Sequence, residues 1–209
     1  MTTSGVSAYN LDFDEIILEA YERCGLQVRD GYDARTAQRS LNLMFAEWAN
    51  RGLNLWTIEQ RQVELVAGVH EYDLPADTVD ALSAVIRTNA GTSNQQDITI
   101  DRIGSAEYLH VPNKYTPSRP AQFYVQRTVP AKLFLYPAPD ATQAYIFRYY
   151  AIRRIQETGA FTNTADISFR FLPCLIAGLA YYLAIKKAPD RIQILKQFYE
   201  EEFARAAAE

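Results

Sequence analysis

Chemically reactive side chains are scarce in this sequence: cysteine and histidine occur only twice each in 209 residues. Cys24 and Cys174 both lie on apolar helical stretches. They read as reduced, buried thiols and not as a disulfide framework, which points to a reducing cytosol. HxH, HExxH and CxxC spacings are missing, and with them the common ways of gathering several ligands at about 2 Å from a metal. His70 sits in the strand-like run Val69-His-Glu-Tyr-Asp73 and reads as a strand-surface residue. His110 precedes Val-Pro at a loop entrance. No GxSxG elbow, Walker loop or GxGxxG occurs, so acyl transfer and nucleotide binding have no motif behind them. The sequence therefore assigns no catalytic, cofactor-binding or metal-binding residue.

An excess of positive charge is missing too. Lys and Arg number 21 against 25 Asp and Glu, a net charge of −4, and such a chain has no overall field to hold DNA tightly. Arg148, Arg153 and Arg154 interleave with Tyr149 and Tyr150, but this cluster is too short for a nucleic-acid footprint and fits a strand equally well. Neighbouring carboxylates such as Asp14/Glu15 or 200–202 point into solvent. They do not converge as the two carboxyls of a retaining glycosidase do, about 5 Å apart. On the inner wall of a ring, carboxylates would instead repel a phosphate backbone and keep it mobile. The longest uncharged run, 171–185, is shorter than the roughly 20 residues a membrane span requires and reads as a buried helix. The opening Met1-Thr-Thr-Ser-Gly5 has neither the basic nor the apolar region of a signal peptide, so none is expected.

Hydrophobic periodicity and aromatic residues are well represented, with 14 tyrosines and 10 phenylalanines. Phe13, Ile16, Ile17, Ala20, Tyr21 and Cys24 fall on one helical face, started by Asp12 with Glu15 three residues on, and stopped by Gly25. Ala34, Ala37, Leu41, Met44, Phe45 and Trp48 mark a second helix of roughly 18 residues, with Asp33 as N-cap and Gly52 beyond its end. From 57 to 156 the period changes to two. Val63 to Leu74, broken at Ala67-Gly68, predicts a hairpin, and strands are predicted at 79–87, 98–103, 122–127, 132–136 and 144–151. One helical turn is expected at 105–110. Leu172, Leu175, Ile176, Leu179 and Leu183 then predict a buried helix with Pro173 in its first turn. Ile192, Leu195, Tyr199 and Phe203 mark a last one. The expected fold is α+β: an antiparallel four-helix bundle made of 1–56 and 157–209, with an antiparallel β-module of about six strands inserted at 57–156.

Several landmarks occur in a familiar order. Trp48, Gly52 and Trp56 close the helical pair. Val63-Glu-Leu-Val-Ala-Gly68-Val-His-Glu-Tyr72-Asp-Leu74-Pro75 follows, then Arg119-Pro120 before an aromatic strand. Next come Leu133-Phe-Leu135-Tyr136-Pro137-Ala-Pro139 and a last block with Pro173 and Ala177-Gly-Leu-Ala-Tyr181. In this order, over about residues 11 to 203, the sequence resembles the head-to-tail adaptors (tail tubular protein A-like connectors) of short-tailed bacteriophages. The resemblance implies a structural virion protein without enzymatic activity or cofactor, assembled in the host bacterial cytoplasm. It implies a ring, usually of twelve copies, between the portal protein and the tail nozzle protein, with the genomic DNA passing through unbound. The C-terminal helix is the candidate portal-docking or neighbour-contacting element, through Tyr199, Phe203 and Arg205. The alternative is that Tyr199 and Phe203 merely complete the bundle. The loops 89–96 and 112–118, rich in polar residues and proline, are expected to order on assembly. The alternatives are another neck or tail completion protein, a cytosolic enzyme with a pocket in the β-module, and a nucleic-acid-binding module.

Overall fold

The structure, a computed structural model, describes residues 11–208. It is mixed α and β, and its described residues fall into two compact units: a helical one from 11–53 and 155–208, and a β unit from 54–154.

The helical unit is organised around one helix. α4 (Leu172–Lys187) is apolar on every side, with ten of its residues buried, which is the pattern of a core helix and not of a surface one. α1 (Phe13–Arg23), α2 (Gly31–Asn50) and α5 (Ile192–Ala207) all pack on it. By length and composition Phe169–Lys187 could cross a membrane, but these three helices occupy its apolar surface. α1 begins as its sequence predicts, the Glu15 carboxylate accepting from the Asp12 backbone N–H at 3.3 Å. It ends on Gly25, whose φ of +69° lets the Leu26 N–H reach back to the Tyr21 carbonyl at 2.9 Å.

α2 departs from expectation at its start. Its N-cap is Asp30, not Asp33: the Asp30 carboxylate accepts from the Tyr32 and Asp33 N–H groups at 2.9 and 3.0 Å. Asp33 is drawn inward instead. It pairs with Lys187 at the end of α4 and accepts from the Arg29 N–H at 3.1 Å. Lys187 first, and the Arg29 backbone second, hold its carboxyl below the usual range. Helix propensity alone cannot separate two aspartates three residues apart. The half-buried Lys187 decides between them.

At the middle of α4, Gly178 lets α2 and α5 approach closely. A Cβ there would collide with Met44 Sδ and lie 2.8 Å from Tyr199 Cε2.

The β unit is a curled seven-stranded sheet in the order β1-β7-β3-β4-β5-β6-β2. Its strands are β1 (Ile58–Leu65), β2 (Glu71–Asp73), β3 (Thr78–Thr88), β4 (Gln96–Arg102), β5 (Gln122–Gln126), β6 (Lys132–Tyr136) and β7 (Tyr145–Arg153). Phe123, Val125, Leu133, Leu135, Tyr145, Phe147 and Tyr149 alternate inward along β5, β6 and β7 and, with Ile86 and Ile100, form its core.

Two expectations fail here. The predicted hairpin over 63–74 does not form. β1 pairs along its whole length with β7, and β2 pairs with β6 at the other end of the strand order. A strand–glycine–strand pattern looks the same whether its halves pair with each other or with separate neighbours. The 66–70 connection joins the two edge strands, and Tyr72 clamps it, its hydroxyl bonding the Val66 N–H at 2.8 Å and the Val69 carbonyl at 3.0 Å. The sheet is also not wholly antiparallel. β4 and β5 run parallel over two residue pairs, a pairing made possible by the crossover through α3 (Ser105–His110). The edge strand β1 carries Glu59, Arg61 and Glu64 and buries no residue fully, which discourages edge-to-edge pairing with other chains.

Gly178→Ala is expected to lower unfolding free energy by about 1–2 kcal/mol. Overpacking against a ring fixed at both ends outweighs the roughly 1 kcal/mol gained in helix propensity. A urea midpoint at or above that of the parent protein would refute the close-approach argument. Burial raises the hydroxyl pKa of Tyr21, Tyr72, Tyr108, Tyr149, Tyr182 and Tyr199. For a raised pKa, stability is fully present below the unfolded tyrosine value of about 10 and falls as pH rises above it. A spectrophotometric titration followed beside circular dichroism should show these tyrosines ionising together with unfolding. Complete ionisation of all tyrosines before any loss of ellipticity would contradict it.

Candidate interaction surfaces

The groups that chemistry would use are occupied in structure. Cys174 is buried within α4 and burial pushes its thiol up to about 12, leaving almost no thiolate at neutral pH. Cys24 is raised by burial as well, and its Sγ donates to the Ala180 carbonyl at 3.1 Å. His70 lies edge-on to Tyr115, ring centres 4.6 Å apart, and His110 is exposed at the end of α3. Among the described residues no three His, Cys, Asp or Glu side chains gather as a metal site would require.

One charge cluster of the β unit surrounds Asp80, 5% exposed. Arg102 grips its carboxylate with contacts of 2.8 and 3.0 Å, Arg127 adds one of 2.6 Å, and the Ala81 N–H donates at 2.9 Å. With both oxygens saturated, the carboxylate fixes the irregular stretch of β3 between Thr78 and Ala84 and has little capacity left for proton transfer. A second cluster joins Arg61 to Asp77 through two bonds of 2.7 and 2.6 Å, and to Glu59. Arg61 is the main reason the Asp77 carboxyl is lowered. Sequence reading missed both. The one signal was an aspartate inside an otherwise apolar strand run.

The C-terminal helix is the best-anchored element with a free outer face. On its inner side Trp48 Nε1 donates to the Tyr199 hydroxyl at 2.9 Å, and that hydroxyl donates to Glu47 at 2.7 Å. Arg51 forks onto both oxygens of Glu200 at 2.9 Å each, pairs with Glu47, and lies over the Phe203 ring, 4.5 Å from its centre. The fork with Arg51 is the first cause of the lowered Glu200 carboxyl. Phe203 completes an aromatic cluster with Trp48, Phe171 and Tyr199.

The three residues predicted as contacts thus part company. Tyr199 is 1% exposed and Phe203 half-buried, so both hold α5 in place. Arg205 presents 69% of its side chain to solvent, tethered to Glu202 at 2.8 Å. Ile194 and Phe198, about half exposed, share the outer stripe with Glu201 and Arg205 at i, i+4, i+7 and i+11. The wheel that placed Leu195 and Tyr199 inward could have placed these two outward.

In the β unit, the loops expected to order on assembly carry their own hydrogen bonds. The Thr92 N–H donates to the Asn89 carbonyl at 3.2 Å, and the Tyr115 N–H to Asn113 Oδ1 at 3.0 Å.

No curated protein matches this chain. A family model described as SU10 adaptor protein matches residues 8–209, through both units and the whole of α5. That agrees with the resemblance of the sequence to phage head-to-tail adaptors, and the chain belongs to the SU10 adaptor protein family.

Proposed function

We propose that this protein is the head-to-tail adaptor of a bacteriophage virion. In this reading it is assembled in the host cytoplasm as a ring of twelve copies, the number usual for such adaptors, between the portal protein and the tail nozzle protein. The observation that carries the reading is the family match over residues 8–209. The four helices act as a bundle that meets neighbours and portal, and the inserted β unit faces other tail parts. The genomic DNA passes the lumen without specific binding, which suits a chain of net charge −4. No catalysis enters this function. Cys174 is buried and its thiol raised, and the Asp80 carboxylate is saturated by arginines. On α5, Tyr199 and Phe203 act by positioning the helix, and Arg205, with Ile194 and Phe198 beside it, makes the contact.

The direct test is electron cryomicroscopy of the purified protein mixed with the portal ring from the same genome. The expected result is a closed ring capping the portal with a lumen open to duplex DNA. A chain that stays monomeric alone and with the portal would overturn the reading. Within that assay, Arg205→Glu should weaken portal capping without changing the melting temperature. Tyr199→Phe should cost about 1–2 kcal/mol of stability by leaving the Trp48 donor without its acceptor. If instead Arg205→Glu caps the portal like the parent protein, α5 is not the docking element.

A further inference from the structure

Two faces of the helical unit are opposite in charge and alike in apolar content. The first is a groove of about 660 Å³ between α1 and the start of α4, lined by apolar Leu18, Phe169 and Ile176, by Glu15, Glu19 and Glu22, and by Arg23 and Arg170. The arginines that reach this groove are already engaged. Arg23 binds Glu19 at 2.9 Å, and Arg170 donates to the Arg205 carbonyl at 3.3 Å. Among the described residues, Glu15 accepts only from a backbone N–H. Glu22 has no cationic partner among the described residues, so the groove keeps a net negative charge.

The second face is the outer stripe of α2, where Tyr32, Arg35, Arg39 and Leu43 follow one another at i, i+3, i+7 and i+11 and are all exposed. Arg35 and Arg39 have no carboxylate partner among the described residues, and Arg39 reaches only the Thr36 hydroxyl, at 3.4 Å. Lys186 adds to the same side, its Nζ donating to Ser40 at 2.8 Å. Burial first, and the Arg39 charge second, lower its pKa, as a crowd of cations would. Asp33, the nearest acid of this helix, is committed to Lys187.

The spacings match as well. Arg35 and Arg39 stand four residues apart, about 6 Å along the axis, and Glu19 and Glu22 three, about 4.5 Å, so each pair spans close to one helical turn. We propose that the acidic α1–α4 groove of one copy receives the basic α2 ridge of the next copy. Tyr32 and Leu43 then cover the apolar lining, and Arg35 and Arg39 meet Glu19 and Glu22. The occupant is a second copy because the complementary face lies on this same chain: among the described residues Arg35 and Arg39 have no carboxylate partner and Glu22 has no cationic one, while Glu19 would exchange an exposed bond to Arg23 for one across the contact. Joining two different surfaces makes the contact heterologous, the kind that closes into rings. The proposal rests on the ring reading above and assigns the surface through which that ring closes.

The test is sedimentation velocity of the full-length protein, across concentration and at low and high salt, for the parent and three variants. Arg35→Glu with Arg39→Glu reverses the ridge, Glu19→Arg with Glu22→Arg reverses the groove, and the third variant carries all four changes. All four positions are surface-exposed or groove sites, so melting temperatures should stay close to the parent's, which establishes that the variants fold. Each pairwise reversal is expected to weaken self-association at least about tenfold, and the four-way variant to recover it. Raised salt should weaken the parent in the same direction. If the parent assembles but neither reversal weakens it, or the four-way variant is no better than the pairs, this surface is refuted while the ring stands. A parent that is monomeric in every condition, with the portal present as well, refutes both.

Discussion

The helical unit depends on one constraint: α4 must be narrow enough, and apolar on enough sides, to be enclosed by three other helices. Gly178 meets the first requirement where α2 and α5 come closest, with Met44 and the Tyr199 ring in the space a side chain would take. Leu175, Leu179 and Leu183, all buried, meet the second. Because the enclosed helix supplies so much of the apolar surface, the surrounding helices can cover it with single stripes. Their other faces are then free of any packing duty. Ile194 and Phe198 on α5, Tyr32 and Leu43 on α2, and Leu18 on α1 are outward residues of that kind.

Polar contacts between helices then set alignment and not gross stability. Exposed ion pairs such as Glu19–Arg23 contribute on the order of 0–1 kcal/mol. The partly buried contacts are fewer and more exacting. Lys187 with Asp33 ties the end of α4 to the start of α2. Trp48, Tyr199 and Glu47 tie the far part of α2 to α5. Each contact satisfies a donor or acceptor that would be costly if left alone away from water. A sliding or rotated α5 would break the Arg51–Glu200 fork and uncover the Phe203 ring together. The outer stripe of α5 therefore has a fixed direction, which a docking face requires.

Most elements were legible in the sequence because burial here follows simple periods. β6 spans Lys132–Tyr136 as the pattern predicts, and the inward residues of α1 are those its spacing marks. What was not legible involved a choice among equivalent local signals. Asp30 and Asp33 are both good caps, and only Lys187, more than 150 residues away, decides between them. The segment 63–74 fits a hairpin locally, but β1 gains a longer partner in β7. The parallel β4–β5 pair leaves no trace in periodicity, since alternation is blind to strand direction. The candidate site suffered from a related ambiguity. Tyr199 and Phe203 can be read either as contacts or as completing the bundle, and their shared face with Leu195 turns them inward toward Trp48.

The two units handle exposed surface in opposite ways. In the β unit the edge strand β1 is guarded by charge, and Asp80 and Arg61 spend their hydrogen-bonding capacity within the sheet. In the helical unit, Arg35, Arg39 and Glu22 sit beside exposed apolar side chains with no counter-charge among the described residues. Charges left in this state cost little in a monomer because water and salt screen them over about 8 Å. The same charges strengthen once a partner excludes that water. A subunit built this way can stay dispersed without exposing one large apolar patch. It then gains attraction only where a matching face arrives in register. Among the described residues, then, unmatched charge beside exposed apolar side chains lies on the helices, while the sheet's clustered charges are spent within it.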